Sequence, residues 1–186
     1  MRHLVRSLAG ALVVAALTGC ASTGGRGTAP DAPTDIVAGN AWSKRMEDRR
    51  VAMEQSARGT NAEVTRTADN RLKLSVPNDI AFDPNGFAVK ARLRVLLDAL
   101  AATLADAPRA RLGIVGHSDS TGSAALNKSL SLERAQSVRD YLVARGVSPL
   151  RIETFGRGDR EPIADNASEA GRARNRRVEI QVREPG

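Results

Sequence analysis

"RLGIVGHSDSTGS", residues 111–123, decides how the chain is read. An apolar run from Leu112 to Val115 breaks at Gly116-His117-Ser118-Asp119, and apolar residues return at helical spacing a few positions later. Strand, turn and helix in that order predict an α/β unit that lifts side chains off a strand end. A serine hydrolase presents its nucleophile on such a turn, as Gly-x-Ser-x-Gly. Here the fifth position is Ser120, where the tight bend wants glycine. A serine nucleophile also needs a histidine base within hydrogen-bond reach, and in hydrolases of this kind it follows the serine. The two histidines, His3 and His117, both precede Ser118. A serine-hydrolase triad therefore cannot be assembled on this loop.

On the N-terminal side, "AVKARLRVLLDALAATLADAP" (88–108) places Val89, Leu93, Leu96, Leu97, Leu100 and Leu104 on one helical face, closed by Pro108. Before it, "AEVTRTA" and "RLKLSVP" flank the turn pair Asp69-Asn70 and predict a hairpin over 62–76, with Leu72, Leu74 and Val76 on one face. On the C-terminal side, Leu130, Ala135, Val138 and Leu142 mark a helix from about Leu126 to Arg145, stopped by Gly146. "LRIETF" (150–155) and "RRVEIQV" (176–182) read as strands. These elements predict a two-layer α/β domain over 61–186. It is a β-α-β-α-β-β mixed sheet with helices packed on one face and the other face wet, preceded by a β-hairpin strand and a charged helix.

The first residues read differently. Arg2 and Arg6 precede an apolar run from Leu8 to Leu17, roughly half the ~20 residues a membrane span needs. Residues 1–19 are expected to be a removable signal. Cys20 is the only cysteine, which leaves no disulfide to propose. Its setting, Leu17-Thr18-Gly19-Cys20, resembles the lipobox of bacterial lipoproteins, which implies a diacylglyceryl cysteine and, with Ala21 following, an address on the periplasmic face of the outer membrane. Residues 20–40, rich in Gly, Ala, Thr and Pro, read as a flexible tether. Over 41–60 a charged helix is expected, with Trp42, Met46, Met53 and Ala57 at near-helical spacing and Gly59 as its stop. Its thin stripe is interrupted by Arg49 and Arg50, and it is read as lying on the domain or solvated.

The formal charge is +7, and removing Arg2 and Arg6 leaves +5. That balance permits nucleic acid, but the basic run "GRARNRR" (171–177) has no interleaved aromatics for base stacking, so a nucleic-acid partner is not expected. Once residues 1–19 are removed, His117 is the one histidine and Cys20 the one cysteine, so neither a metal site nor a cofactor is expected, and His117 is read as a structural hydrogen-bonding residue at the strand end. Arg157-Gly158-Asp159 reads as a turn.

"GHSDSTGSAALNKSLSLERAQSVRDYLVARGV" (116–147), followed by "RIETFGRGDREPIADNASEAGRARNRRVEI" (151–180), resembles the OmpA-like peptidoglycan-binding domain. The match runs from about Leu72 to Val182, and the lipobox and charged helix bring it nearest to small outer-membrane lipoproteins of the YiaD type. The resemblance implies that Asp119 and Arg134 grip the diaminopimelate of the peptidoglycan stem peptide, with Asn127, Asp83 and Arg176 beside them. Ser118 stands where the family usually has Thr, and "DPNGF" (83–87) departs from the usual loop. Chemistry agrees with those residue types, because a carbon bearing both ammonium and carboxylate needs an anion and a cation a few ångströms apart. Without the ligand, a direct Asp119–Arg134 ion pair is the competing expectation. The function implied is a non-catalytic link between outer membrane and cell wall. The alternative is an envelope scaffold that contacts a protein partner through residues 41–58.

Overall fold

The computed structural model describes residues 42–185. The expected signal, the acylation site at Cys20 and the tether lie outside the described residues. The chain runs α1 (Lys44–Ala57), β1 (Glu63–Arg66), β2 (Leu72–Pro77), α2 (Asn78–Ala81), α3 (Ala91–Leu104), β3 (Arg111–His117), α4 (Ala124–Ala144), β4 (Ile152–Gly158), α5 (Glu169–Asn175) and β5 (Arg177–Arg183). The five strands form one sheet in the order β1-β2-β5-β3-β4. β3 and β4 are parallel and the other pairs antiparallel, so the sheet is mixed as expected.

Alternation explains the sheet. Leu72, Leu74 and Val76 on β2 face the same side as Val178, Ile180 and Val182 on β5 and Leu112 and Ile114 on β3, all buried. The stripe of α3, from Leu93 to Leu104, completes this core. Every described core residue lies between Met46 and Val182, and residues 34–186 form one compact unit, so a chain of residues 21–186 contains a complete folding unit. Ser43, Ser123 and Ser168 cap α1, α4 and α5, each hydroxyl accepting from a backbone N–H three residues on. Gly146, at φ +90°, ends α4, and Asn70, at φ +58°, makes the hairpin turn.

Three expectations change. α1 lies on the domain against α3, yet Arg49 belongs to its buried face, donating to the Thr103 carbonyl at 2.8 and 3.2 Å and to Glu184 at 3.0 Å. Leu130 is only half-buried and lines a cleft, because the inward face of the first half of α4 is polar: Asn127, Ser131 and Arg134. The open sheet face is not uniformly wet. At its β3 end His117, Arg177 and Glu179 are buried, Arg177 Nε donating to Glu179 at 2.8 Å.

Candidate functional site

Asp119 follows directly on β3, where the strand ends against α4. The approach is close because residue 116 is glycine: a Cβ there would fall on the Ser131 carbonyl oxygen. Ser131 Oγ in turn accepts from Gly158 N at 3.0 Å, tying α4 to the end of β4. This fixes the first turns of α4 over the strand end and sets Asn127 and Arg134, seven residues apart, on the same buried side.

The Asp119 carboxylate is 7% exposed. One oxygen accepts from Thr121 N at 2.8 Å and the other from Arg176 Nη1 at 2.6 Å. Asn127 Nδ2 donates to the Asp119 and Thr121 carbonyls at 3.2 and 2.9 Å, fixing the loop that presents the carboxylate. Burial pushes the Asp119 carboxyl up, but the Arg176 and Thr121 donors outweigh it and hold the group below its ordinary range. Arg176 is held protonated more firmly by the same contact, helped by Glu169 at 2.8 Å.

Arg134 is 6% exposed and reaches the cleft from the other side. Its Nε donates to the Gly86 carbonyl at 2.9 Å, and its guanidinium carbon lies 5.4 Å from the centre of the Phe82 ring. Among the described residues no carboxylate lies within ion-pairing distance of it. The competing expectation of a direct Asp119–Arg134 pair is therefore replaced by an Asp119–Arg176 pair. Burial lowers the Arg134 pKa, with Arg176 adding to the effect and Asp119 opposing it. The site holds a desolvated cation, its terminal nitrogens without partners among the described residues, opposite a paired carboxylate.

Asp83, Asp119, Asn127, Arg134 and Arg176 all line one cleft of about 660 Å³. Asp83 stands at its rim, its side chain 73% exposed and 3.4 Å from Lys90 Nζ. Residues 81–176 of this chain, more than half its length, match the OmpA family. The chain belongs to the OmpA family. It is 38% identical to the probable lipoprotein YiaD of Escherichia coli over 137 residues, which are 74% of this chain and 62% of that protein. It is 48% identical to the peptidoglycan-binding protein ArfA of Mycobacterium tuberculosis over 103 residues, 55% of this chain and 32% of ArfA. The chain thus spans less than two thirds of either relative. Among solved structures, the cell wall anchor of the T6SS from Pseudomonas aeruginosa superposes with a TM-score of 0.61 at 33% identity, covering 78% of this chain and 99% of that one.

In this OmpA-family domain several contributors escaped the sequence reading. The "DPNG" loop acts through its backbone: Asn85, at φ +55°, and the Gly86 N–H to Asp83 carbonyl bond of 2.9 Å turn the Gly86 carbonyl onto Arg134. Glu169 braces Arg176. Asn175, fully buried, donates to Asn166, whose Oδ1 also accepts from Ser120 N at 3.2 Å, so the 163–166 segment supports the loop beside Asp119. Asn175 lies in the run Asn175-Arg176-Arg177, the one local stretch that could have signalled this support. The expectation for His117 is corrected: its ring is buried and neither nitrogen has a hydrogen-bond partner. Burial and the nearby Arg177 depress its pKa to about 4, with Glu179 opposing. Ser118 Oγ donates to the Asp119 carbonyl at 3.0 Å. No cluster of three or more His, Cys, Asp or Glu suited to a metal occurs among the described residues.

Proposed function

We propose that the protein binds peptidoglycan without cleaving it, clasping the free zwitterionic end of diaminopimelate, and that Cys20 carries lipid which holds the domain at the periplasmic face of the outer membrane. One observation carries this reading: a buried, unpaired guanidinium at Arg134 faces the Asp119 carboxylate across one cleft. The ligand carboxylate takes the open fork of Arg134, and the ligand ammonium shares Asp119 with Arg176. Asn127 keeps the Asp119 loop in place, and Asp83 at the rim supplies a second acceptor. The peptidoglycan binding named for ArfA and the cell-wall anchoring named for the T6SS protein support the assignment. Charge-assisted hydrogen bonds contribute ~1.5–3 kcal/mol each, so a few of them give micromolar affinity, about 8 kcal/mol. That suffices for a domain tethered beside a polymer that repeats its ligand. The scaffold alternative is left with the outer face of α1, where Val51 is exposed, since Met46, Met53 and Ala57 are buried within the domain.

The test is co-sedimentation of residues 21–186 with purified sacculi. Wild-type protein pellets, and Asp119→Ala and Arg134→Ala stay in solution while keeping their fold by circular dichroism. Sedimentation that survives both substitutions removes the cleft from the function.

A further inference from the structure

The end of the sheet farthest from the cleft carries arginines without acidic partners. Arg111 and Arg183 are direct cross-strand neighbours on β3 and β5, on the open face, since the adjoining Leu112 and Val182 point into the core. Like charges placed directly opposite weaken a strand pair unless an anion lies between them. Among the described residues neither arginine has a carboxylate within ion-pairing distance. Arg111 donates to the Leu150 carbonyl at 2.7 Å, and Leu150 itself, 86% exposed, is the most exposed large apolar side chain described. Leu150, Arg111 and Arg183 line the same end of the open-face groove. This pole is also where the described chain begins. Glu184, next after Arg183, accepts from Ser43 at 3.1 Å and from Arg49 at 3.0 Å, at the start of α1.

We infer that Arg111, Arg183 and Leu150 form a docking surface for an anionic phospholipid bilayer. Guanidinium groups pair bidentately with phosphate, and an isolated exposed leucine among cations enters the headgroup boundary. The occupant is argued from charge and position: two unneutralised cations and an apolar tip stand at the pole where the described chain begins, near Ser43. The contact is weak alone, roughly fivefold in affinity per arginine, and is sustained by the lipid tether of the proposed function, on which its physiological setting rests. Because β3 and β5 span the sheet between this pole and Asp119 and Arg176, a docked domain turns its cleft away from the bilayer.

Residues 21–186 are sedimented with vesicles of phosphatidylglycerol and phosphatidylethanolamine in equal parts, and with vesicles of phosphatidylcholine. Binding is expected only to the anionic vesicles and is lost on adding salt. Arg111→Gln with Arg183→Gln weakens it on the order of 25-fold. Leu150→Ser weakens it several-fold without changing the salt dependence, and every variant still pellets with sacculi. Equal binding to both vesicle types, or unchanged binding by the double variant, overturns the inference. Inhibition by inorganic phosphate at constant ionic strength also overturns it, by identifying a site for a free anion. Failure on sacculi alongside the expected vesicle behaviour would sink the cleft assignment and leave this one standing.

Discussion

His117 should make the domain lose stability on mild acidification. Its ring is 2% exposed, its nitrogens have no hydrogen-bond partners, and its pKa is depressed to about 4 from the ordinary 6.5. Arg177 on β5, Arg157 on β4 and Lys73 on β2 all disfavour the imidazolium, and Glu179 alone favours it. The sign follows from proton uptake: below about pH 6.5 the unfolded chain binds a proton that the folded state refuses, so acid favours unfolding. The contribution is full above the unfolded value and declines as pH falls from 6.5 toward the folded value of about 4. Between about pH 7.5 and about pH 5 the loss is about 2 kcal/mol. Depressed carboxylates such as Asp119 and Glu179 titrate below this window and do not confound it. Urea unfolding of residues 21–186 at the two pH values reads the loss as a midpoint shift of about 1 M. His117→Gln should flatten the dependence. A wild-type change below about 0.5 kcal/mol, or the same slope in the variant, refutes the account of a buried neutral imidazole.

Other outcomes follow from the site and the packing around it. Peptidoglycan binding should stay constant as pH falls from neutrality to about 5 and weaken only below the ordinary carboxylate range, because Asp119 is held ionised; sacculus sedimentation across pH checks this. Asp119→Asn, which keeps the shape and removes the charge, should reduce that binding by about 10- to 100-fold. Gly116→Ala drives a Cβ into the Ser131 carbonyl and should cost about 2 kcal/mol or more, seen as a lower melting temperature. Glu184→Ala leaves the buried Arg49 without its anion and should destabilise by about 2 kcal/mol, whereas Arg49→Met, which removes the charge itself, should come close to neutral in the same melt.

The hairpin, α3 and the apolar half of α4 are legible in the sequence because each follows one period, two or 3.6, without interruption. The first half of α4 breaks that rule: Asn127, Ser131 and Arg134 are buried polar side chains, and a hydrophobicity pattern counts them as surface. Only the ordered motif revealed their role. α5 is invisible because Gly171 and two basic residues, Arg172 and Arg174, obscure any stripe, yet that glycine is required where a Cβ would strike the Asp165 carbonyl. The burial of Arg49 depends on Thr103 and Glu184, 54 and 135 residues away, which no local pattern can supply. The same holds for Arg176, whose partner Asp119 lies 57 residues earlier and was matched with Arg134 instead.

The placement of β5 has a mechanical consequence. The strand starts beside Arg176 in the cleft and ends beside Glu184, which holds the first turn of α1. In the proposed tether, a domain pulled between wall and membrane is stretched along β5, parallel to the strand. Its ladders to β2 on one side and β3 on the other are loaded in shear, and their hydrogen bonds must fail together. A peeled edge strand would give way one bond at a time. Under tension, then, the few polar contacts to the ligand release first, and the domain comes away from the wall folded and able to bind again.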